Sequence, residues 1–389
     1  MPKLTSLLSV LSLLMGLLGS TTPSFSSPNP EDPAATISHF LQQLASAPPD
    51  TCGGPWAPNL APDETERSVL KEAASLFLQE LNQSGPDLAD ASERAVEALN
   101  RVKTESTKTN AAWPQESRFH FELLSIPPAL VLKVGIGTHE RYFVFGVPAR
   151  DATGKPNHEW QQVGEDDLEV EQEYPRTWIN LYPLHRGPSG NARFLASMMF
   201  TGCAGSSGLL YDAREWNPND YVGFSQIIRQ GGSVGMDEGF NGGKPSPKDP
   251  FAAIGKLQTK GSNITLPFCW FSAIDTWDNP SMCALDTYDL SGDTVNFKSR
   301  SYNRPDLLPV AKAIEYAEKR DLPAVRSYCS TDDVAQKILR VVPPFYFAGD
   351  LQVYQDRPDH ERILTDSDEF DIEEHGGRWL VVKFTPESN

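Results

Sequence analysis

Apolar residues recur every three or four positions between Asp63 and Lys103, and the period changes to alternation beyond Trp113. Val69, Leu70, Ala73, Leu76, Phe77 and Leu81 share one side of a helix, and Leu88, Ala91, Ala95, Leu99 and Val102 one side of a second. Ser84-Gly85-Pro86-Asp87 separates the two, with glycine ending the first and proline barring its continuation. The pattern predicts an antiparallel helical hairpin over residues 63–112. Ahead of it, residues 27–62 are rich in Pro, Ser, Ala and Asp and read as a flexible leader, with one short helical run from Ile37 to Leu44.

Residues 113–302 carry the period of strands. Phe119 to Leu123 alternates, and Ala129–Val134 with Arg141–Val147 predicts a hairpin across Gly135-Ile136-Gly137-Thr138. That G-x-G precedes no helix and does not match a dinucleotide fingerprint. Glu165 to Glu173 is rich in acids, and Leu168, Val170 and Gln172 alternate with Glu169, Glu171 and Glu173, which predicts an edge strand with a solvated acidic face; no turn there would wrap a cation. Phe194–Phe200 and Leu209–Tyr211 read as strands joined by a glycine-rich turn, and Trp216–Pro250 as one long irregular segment. Leu266–Ile274 and Met282–Tyr288 follow as strands around the turn signal Asp278-Asn279-Pro280, before a second turn at Asp289–Asp293. The reading is a mainly antiparallel β-rich domain.

From residue 303 the helical period returns. Leu307–Lys319 and Asp321–Tyr328 read as helices, and Ser330-Thr331-Asp332-Asp333 caps a third that Pro343-Pro344 ends. Phe345–Tyr354, Phe370–Glu374 and Trp379–Phe384 predict a three-stranded antiparallel meander, its last two strands joined at Gly376-Gly377. In element order, helices and then a meander, this α+β C-terminal domain (303–389) resembles domains of the nuclear-transport-factor-2-like type. That resemblance implies a small cone-shaped fold and no particular activity. The fold class expected for the whole chain is α+β.

Lys3 precedes an uncharged apolar run from Leu4 to Gly19, and small residues follow to Ser27. This is the layout of a signal peptide over residues 1–26, too short in its apolar part to span a bilayer. The expectation is a secreted or periplasmic protein with no stable membrane insertion after cleavage. The formal charge of −18 argues against nucleic acid, which needs clustered cations. No spacing of His, Cys or acids matches a metal or cofactor motif, so none is expected. The five cysteines are Cys52, Cys203, Cys269, Cys283 and Cys329. In an oxidising compartment the strand pairing above would bring Cys269 and Cys283 together across the turn, with Cys52 and Cys203 as rival partners and Cys329 a buried thiol.

The stretch from Asn263 to Asp293 concentrates the candidate chemistry. Asp275, Asp278 and Asp286, with Asp289 and Asp293 nearby, could place two carboxylates together, and Trp270, Trp277 and Tyr288 could stack a ligand. Aspartate is equally at home in turns. The leading expectation is a binding or interaction protein using this aromatic and acidic surface toward a ligand or protein. A carboxylate-dependent hydrolase of a carbohydrate-like substrate and a structural envelope protein are the alternatives.

Overall fold

The computed structural model describes residues 33–46, 64–84, 88–109, 119–136, 139–151, 153–166, 176–201, 207–219, 225–233, 257–270, 272, 274, 282–344, 346 and 351–386. The signal-like residues 1–26 lie outside them, as do Cys52 and Cys203. Among the described residues, six helices and four antiparallel sheets of four strands each give a mixed α+β protein. No helix of the described residues is long and apolar enough to cross a membrane.

The chain opens with α1 (Pro33–Ser46), α2 (Glu64–Ser84) and α3 (Leu88–Thr109). The first sheet follows as a meander of β1 (His120–Ile126), β2 (Ala129–Ile136), β3 (His139–Gly146) and β4 (Gln161–Glu165). Every residue of β2 and β3 is buried, because both faces of this sheet are covered. Leu130, Leu132, Val134, Phe143 and Phe145 pack with Val69, Phe77 and Leu99 of the helices. Their neighbours Ala129, Val131, Tyr142 and Val144 pack the other way, onto the second sheet.

That second sheet is the meander β5 (Arg176–Pro183), β6 (Ala192–Thr201), β7 (Ser207–Trp216) and β8 (Ser225–Ser233). Phe194, Ala196 and Met198 face the first sheet, whereas Leu195, Tyr211 and Ala213 join the core of the third. Contact between the first two sheets is close enough to require glycine at 146, where a Cβ would sit 2.3 Å from the buried Trp216 ring. The third sheet is β9 (Gln258–Lys260), β10 (Asn263–Trp270), β11 (Met282–Asp289) and β12 (Asn296–Tyr302).

After β12 come α4 (Leu308–Glu318), α5 (Leu322–Arg326) and α6 (Asp332–Val341), then β13 (Gln352–Arg357), β14 (His360–Leu364), β15 (Asp368–Glu374) and β16 (Trp379–Pro386). Thr331 caps α6 through its side-chain oxygen. Positive φ at Gly376 and Gly377 makes the two-residue turn between β15 and β16. Val310, Ile314 and Ile338 of the helices pack on Ile363, Phe370, Val381 and Phe384. Three helices followed by a four-stranded meander therefore occurs at both ends of the chain.

Four expectations need correction. The leader contributes α1, whose Ile37 and Leu41 are fully buried on α2 and α3, so the expected hairpin is a three-helix group. The meander after α6 has four strands rather than three; His360-Glu361-Arg362 puts polar residues on both faces of β14, which hides its strand period. Within Trp216–Pro250, residues 225–233 form β8 and hold the edge of the second sheet. Asp166, expected on a solvated acidic face, is buried and accepts hydrogen bonds from Arg141 Nε at 2.8 Å and Tyr142 N at 2.8 Å. Residues 167–173 of that run lie outside the described residues.

Candidate functional site

Two hairpins that share β11 form the part of the third sheet that carries the candidate residues. β10 and β11 pair so that Cys269 stands directly opposite Cys283. The N–H and C=O of Cys283 both turn to Asn303 on the far side, with N···O distances of 2.8 and 3.0 Å. Cys269 and Cys283 thus form a non-hydrogen-bonded cross-strand pair, the kind in which Cα atoms come closest. Here they are 4.0 Å apart and the sulfur atoms are joined as a disulfide. The bridge closes the base of residues 270–282. Within that stretch Ile274 is buried in the C-terminal core, while Asp275, Trp277 and Asp278 lie outside the described residues.

Alternation puts Leu266, Phe268 and Trp270 of β10 on the face turned to the second sheet, together with Ala284, Asp286 and Tyr288 of β11. Asp286 is 1% exposed, which a lone carboxylate could not sustain. Arg300 of β12 lies opposite it and grips it with two bonds, Nε to Oδ1 and Nη2 to Oδ2, each 2.7 Å. Gln230 of β8 donates to the same Oδ2 at 3.0 Å and accepts from the Tyr288 hydroxyl at 3.0 Å. The bond to Asp286 raises the Arg300 pKa, and burial followed by the nearby Asp286 charge raises that of Tyr288. Asp286, a catalytic candidate from the sequence, therefore already spends both carboxylate oxygens on neighbours. Its geometry ties two sheets together.

Of the aromatic candidates, Trp270 and Tyr288 sit on the same face. Trp270 stacks on Phe268 (5.6 Å between centroids) and meets Tyr302 edge-on (6.1 Å), at the point where the third-sheet and C-terminal cores touch. The Arg300 guanidinium covers the Phe268 ring at 5.0 Å. Tyr288 is half-buried and contacts Phe297 at 5.6 Å, and Phe297 is 55% exposed. The accessible part of this surface is therefore the β11–β12 side, where Phe297 and Tyr288 meet. Asp289 closes the β11–β12 turn: bonds from Ser291 hold its carboxyl down to about 2.

Sequence reasoning missed the charged groups buried between layers. Tyr142 of β3 donates to Asp212 of β7 at 2.9 Å, and Asp212 also takes Arg214 at 2.7 Å and Gln226 at 2.9 Å. Burial, then the Asp212 charge, drives the Tyr142 pKa far upward. Glu140 bonds His120 at 2.7 Å and the Ile179 N–H at 2.5 Å, beside Lys133, whose ammonium reaches the Ile179 carbonyl at 2.8 Å. Arg193 pairs with Glu215 and donates to the carbonyls of Leu290, Gly292 and Asp293. An Asp, Lys or Arg inside an otherwise apolar strand is the one signal that could have found them.

Cys329 is a buried free thiol at the edge of the C-terminal core, and burial pushes its pKa up to about 12. Iodoacetamide applied to the native protein at neutral pH is expected to leave Cys329 unmodified, and to alkylate it fully once urea unfolds the chain. Peptide mass mapping of the two samples checks this.

Among the described residues, no group of three or more His, Cys, Asp or Glu side chains is arranged to hold a metal ion. No family model, curated protein or solved structure matches this chain.

Proposed function

We propose that this chain is an exported binding protein whose contact surface lies on residues 270–297, with Tyr288 and Phe297 as its accessible aromatics. The observation that carries this reading is the pairing of Asp286 with Arg300 and Gln230. A carboxylate held on both oxygens supports a framework for a surface rather than proton transfer to a substrate. The disulfide at the base of 270–282 adds support, since it fixes the start of that surface and suits an oxidising compartment. The signal-like residues 1–26 point the same way. Three helices before a meander at residues 308–386 also support the nuclear-transport-factor-2-like reading of the C-terminal unit.

Peptide and glycan arrays probed with the full chain, followed by calorimetry on the hits, test the proposal. Binding without turnover is expected, weakened about tenfold or more by Phe297→Ser, which removes an exposed ring at little cost to folding. Hits insensitive to both Phe297→Ser and Tyr288→Ala would move the surface elsewhere. Glycoside turnover abolished by Asp278→Asn would replace the binding reading with the hydrolase.

A further inference from the structure

Glu361 of β14 projects from the same side of its strand as Ile363, toward the C-terminal core, and is 9% exposed. One of its carboxyl oxygens, Oε2, is buried without a hydrogen-bond partner. The carboxyl group of Asp306, on the segment that leads into α4, is its neighbour, and one carboxyl can bond the other only through a proton. Arg304 grips Asp306 with Nε at 3.1 and 2.9 Å from its two oxygens and stands 3.9 Å from Glu361 Oε2. The residues opposite Glu361 on the neighbouring strands carry no charge: they are Gln355 on β13 and Ile372 on β15. Among the described residues, two carboxylates therefore face one guanidinium.

We propose that Glu361 and Asp306 share one proton and that, with Arg304, they form a pH-sensitive latch fastening the segment entering α4 to the C-terminal meander. With the proton in place the Glu361 hydroxyl donates to the Asp306 carboxylate, and the cluster is neutral with Arg304. When it leaves, two like charges oppose each other in a buried place and the fastening weakens. Leu307, next in the chain, starts α4 and is buried in the core, so a loosened latch acts directly on that helix.

Burial first, then the Asp306 contact, raises the Glu361 pKa from 4.5 to about 7. The folded chain then holds this proton more tightly than the unfolded chain. Its contribution to stability is complete below pH 4.5, declines as pH rises and is gone above about 7. Burial opposes ionisation of Asp306, but the Arg304 bonds outweigh it and keep that carboxyl low, so its own loss on acidification falls beneath this window.

Thermal unfolding of the full chain and of Glu361→Gln, followed from pH 4.5 to well above 7, tests the latch. The Gln variant keeps a donor toward Asp306 without the charge. The midpoint of the wild type relative to the variant is expected to fall by several degrees across the window and then level off. Amide exchange at residues 303–307 should quicken above neutrality, beyond its intrinsic rise, in the wild type alone. A carboxyl carbon titration of Glu361 by NMR, in the wild type and in Asp306→Asn, needs no foldable Gln variant: its midpoint should lie near 7 and drop in Asp306→Asn. Parallel unfolding curves, or a Glu361 midpoint at its ordinary value, would overturn the proposal.

Discussion

Replacing Arg193 with alanine is expected to cost about 3–5 kcal/mol of stability, the range for breaking a buried ion pair from one side. The Arg193 side chain is fully buried near the start of β6. Its Nε meets Glu215 on β7, and its other nitrogens reach the carbonyls of Leu290 at 2.8 Å, Gly292 at 3.0 Å and Asp293 at 3.1 Å. One guanidinium thus holds the β11–β12 turn of the third sheet against the second. The approach is tight on the other side too, where a Cβ at Gly187 would come within 2.7 Å of Nη2. Alanine leaves Glu215 with Asn191 alone and strands three carbonyls at the seam. Against a total stability of roughly 5–15 kcal/mol, the loss would bring the chain near its unfolding threshold. Arg193→Lys keeps the charge but lacks the planar fork, so it should recover less than half of the difference. Urea unfolding of the three proteins decides this. A loss for Arg193→Ala below about 1 kcal/mol would mean that the turn is held by its apolar residue, Leu290, and not by the guanidinium.

The reason sequence reading stops short of Arg193 is its range. Helix and strand periods are local, and they marked α2, α3 and the apolar runs of β2 and β3 well. The contacts that join the layers are not local: Tyr142 and Asp212 are 70 positions apart, and Arg193 and Leu290 are 97 apart. No period within one strand reports such a pair. Strand visibility followed burial in the same way. β2 and β3 are covered on both faces and each carries an apolar run, 129–132 and 142–145, whereas β14 is covered on one face and carries charge even there, at Glu361. The two ends of the chain share an order of elements but not this pattern, because the first meander is sandwiched and the last has one open face.

Where a hairpin turn was legible, its contacts were too. Cys269 and Cys283 lie in the two apolar runs that flank the turn signal, and pairing of those runs across the loop brings them opposite each other. Asp286 and Arg300 are equidistant, to within the single bulge at Thr287/Tyr288, about the middle of residues 290–295. The turn expected at 289–293 is centred ahead of that point, so the sequence reading did not bring Arg300 opposite Asp286.

Breaking the Cys269–Cys283 bridge, by reduction or by Cys269→Ser with Cys283→Ser, is expected to cost about 3 kcal/mol in the chain-entropy account for a loop of this size. The folded sheet supplies independent reasons to keep its shape. Asn303 still takes the N–H and C=O of Cys283, the Thr265 and Thr287 hydroxyls still meet at 3.2 Å, and Asp286 still holds Arg300. The loss should therefore arise mainly in the unfolded chain, which gains freedom when the cross-link goes. Two consequences separate this from a damaged native state. The urea dependence of the unfolding free energy should steepen, because a chain without the cross-link exposes more surface on unfolding. Each single Ser variant should also lose nearly as much as the double, since the two residues act through one bond. Native amide exchange at Thr265 and Thr287 should stay slow, while that at Trp270 and Met282, next to the bridge, quickens. If Thr265 and Thr287 lose protection as well, the disulfide holds the folded third sheet together in addition to restricting the unfolded chain.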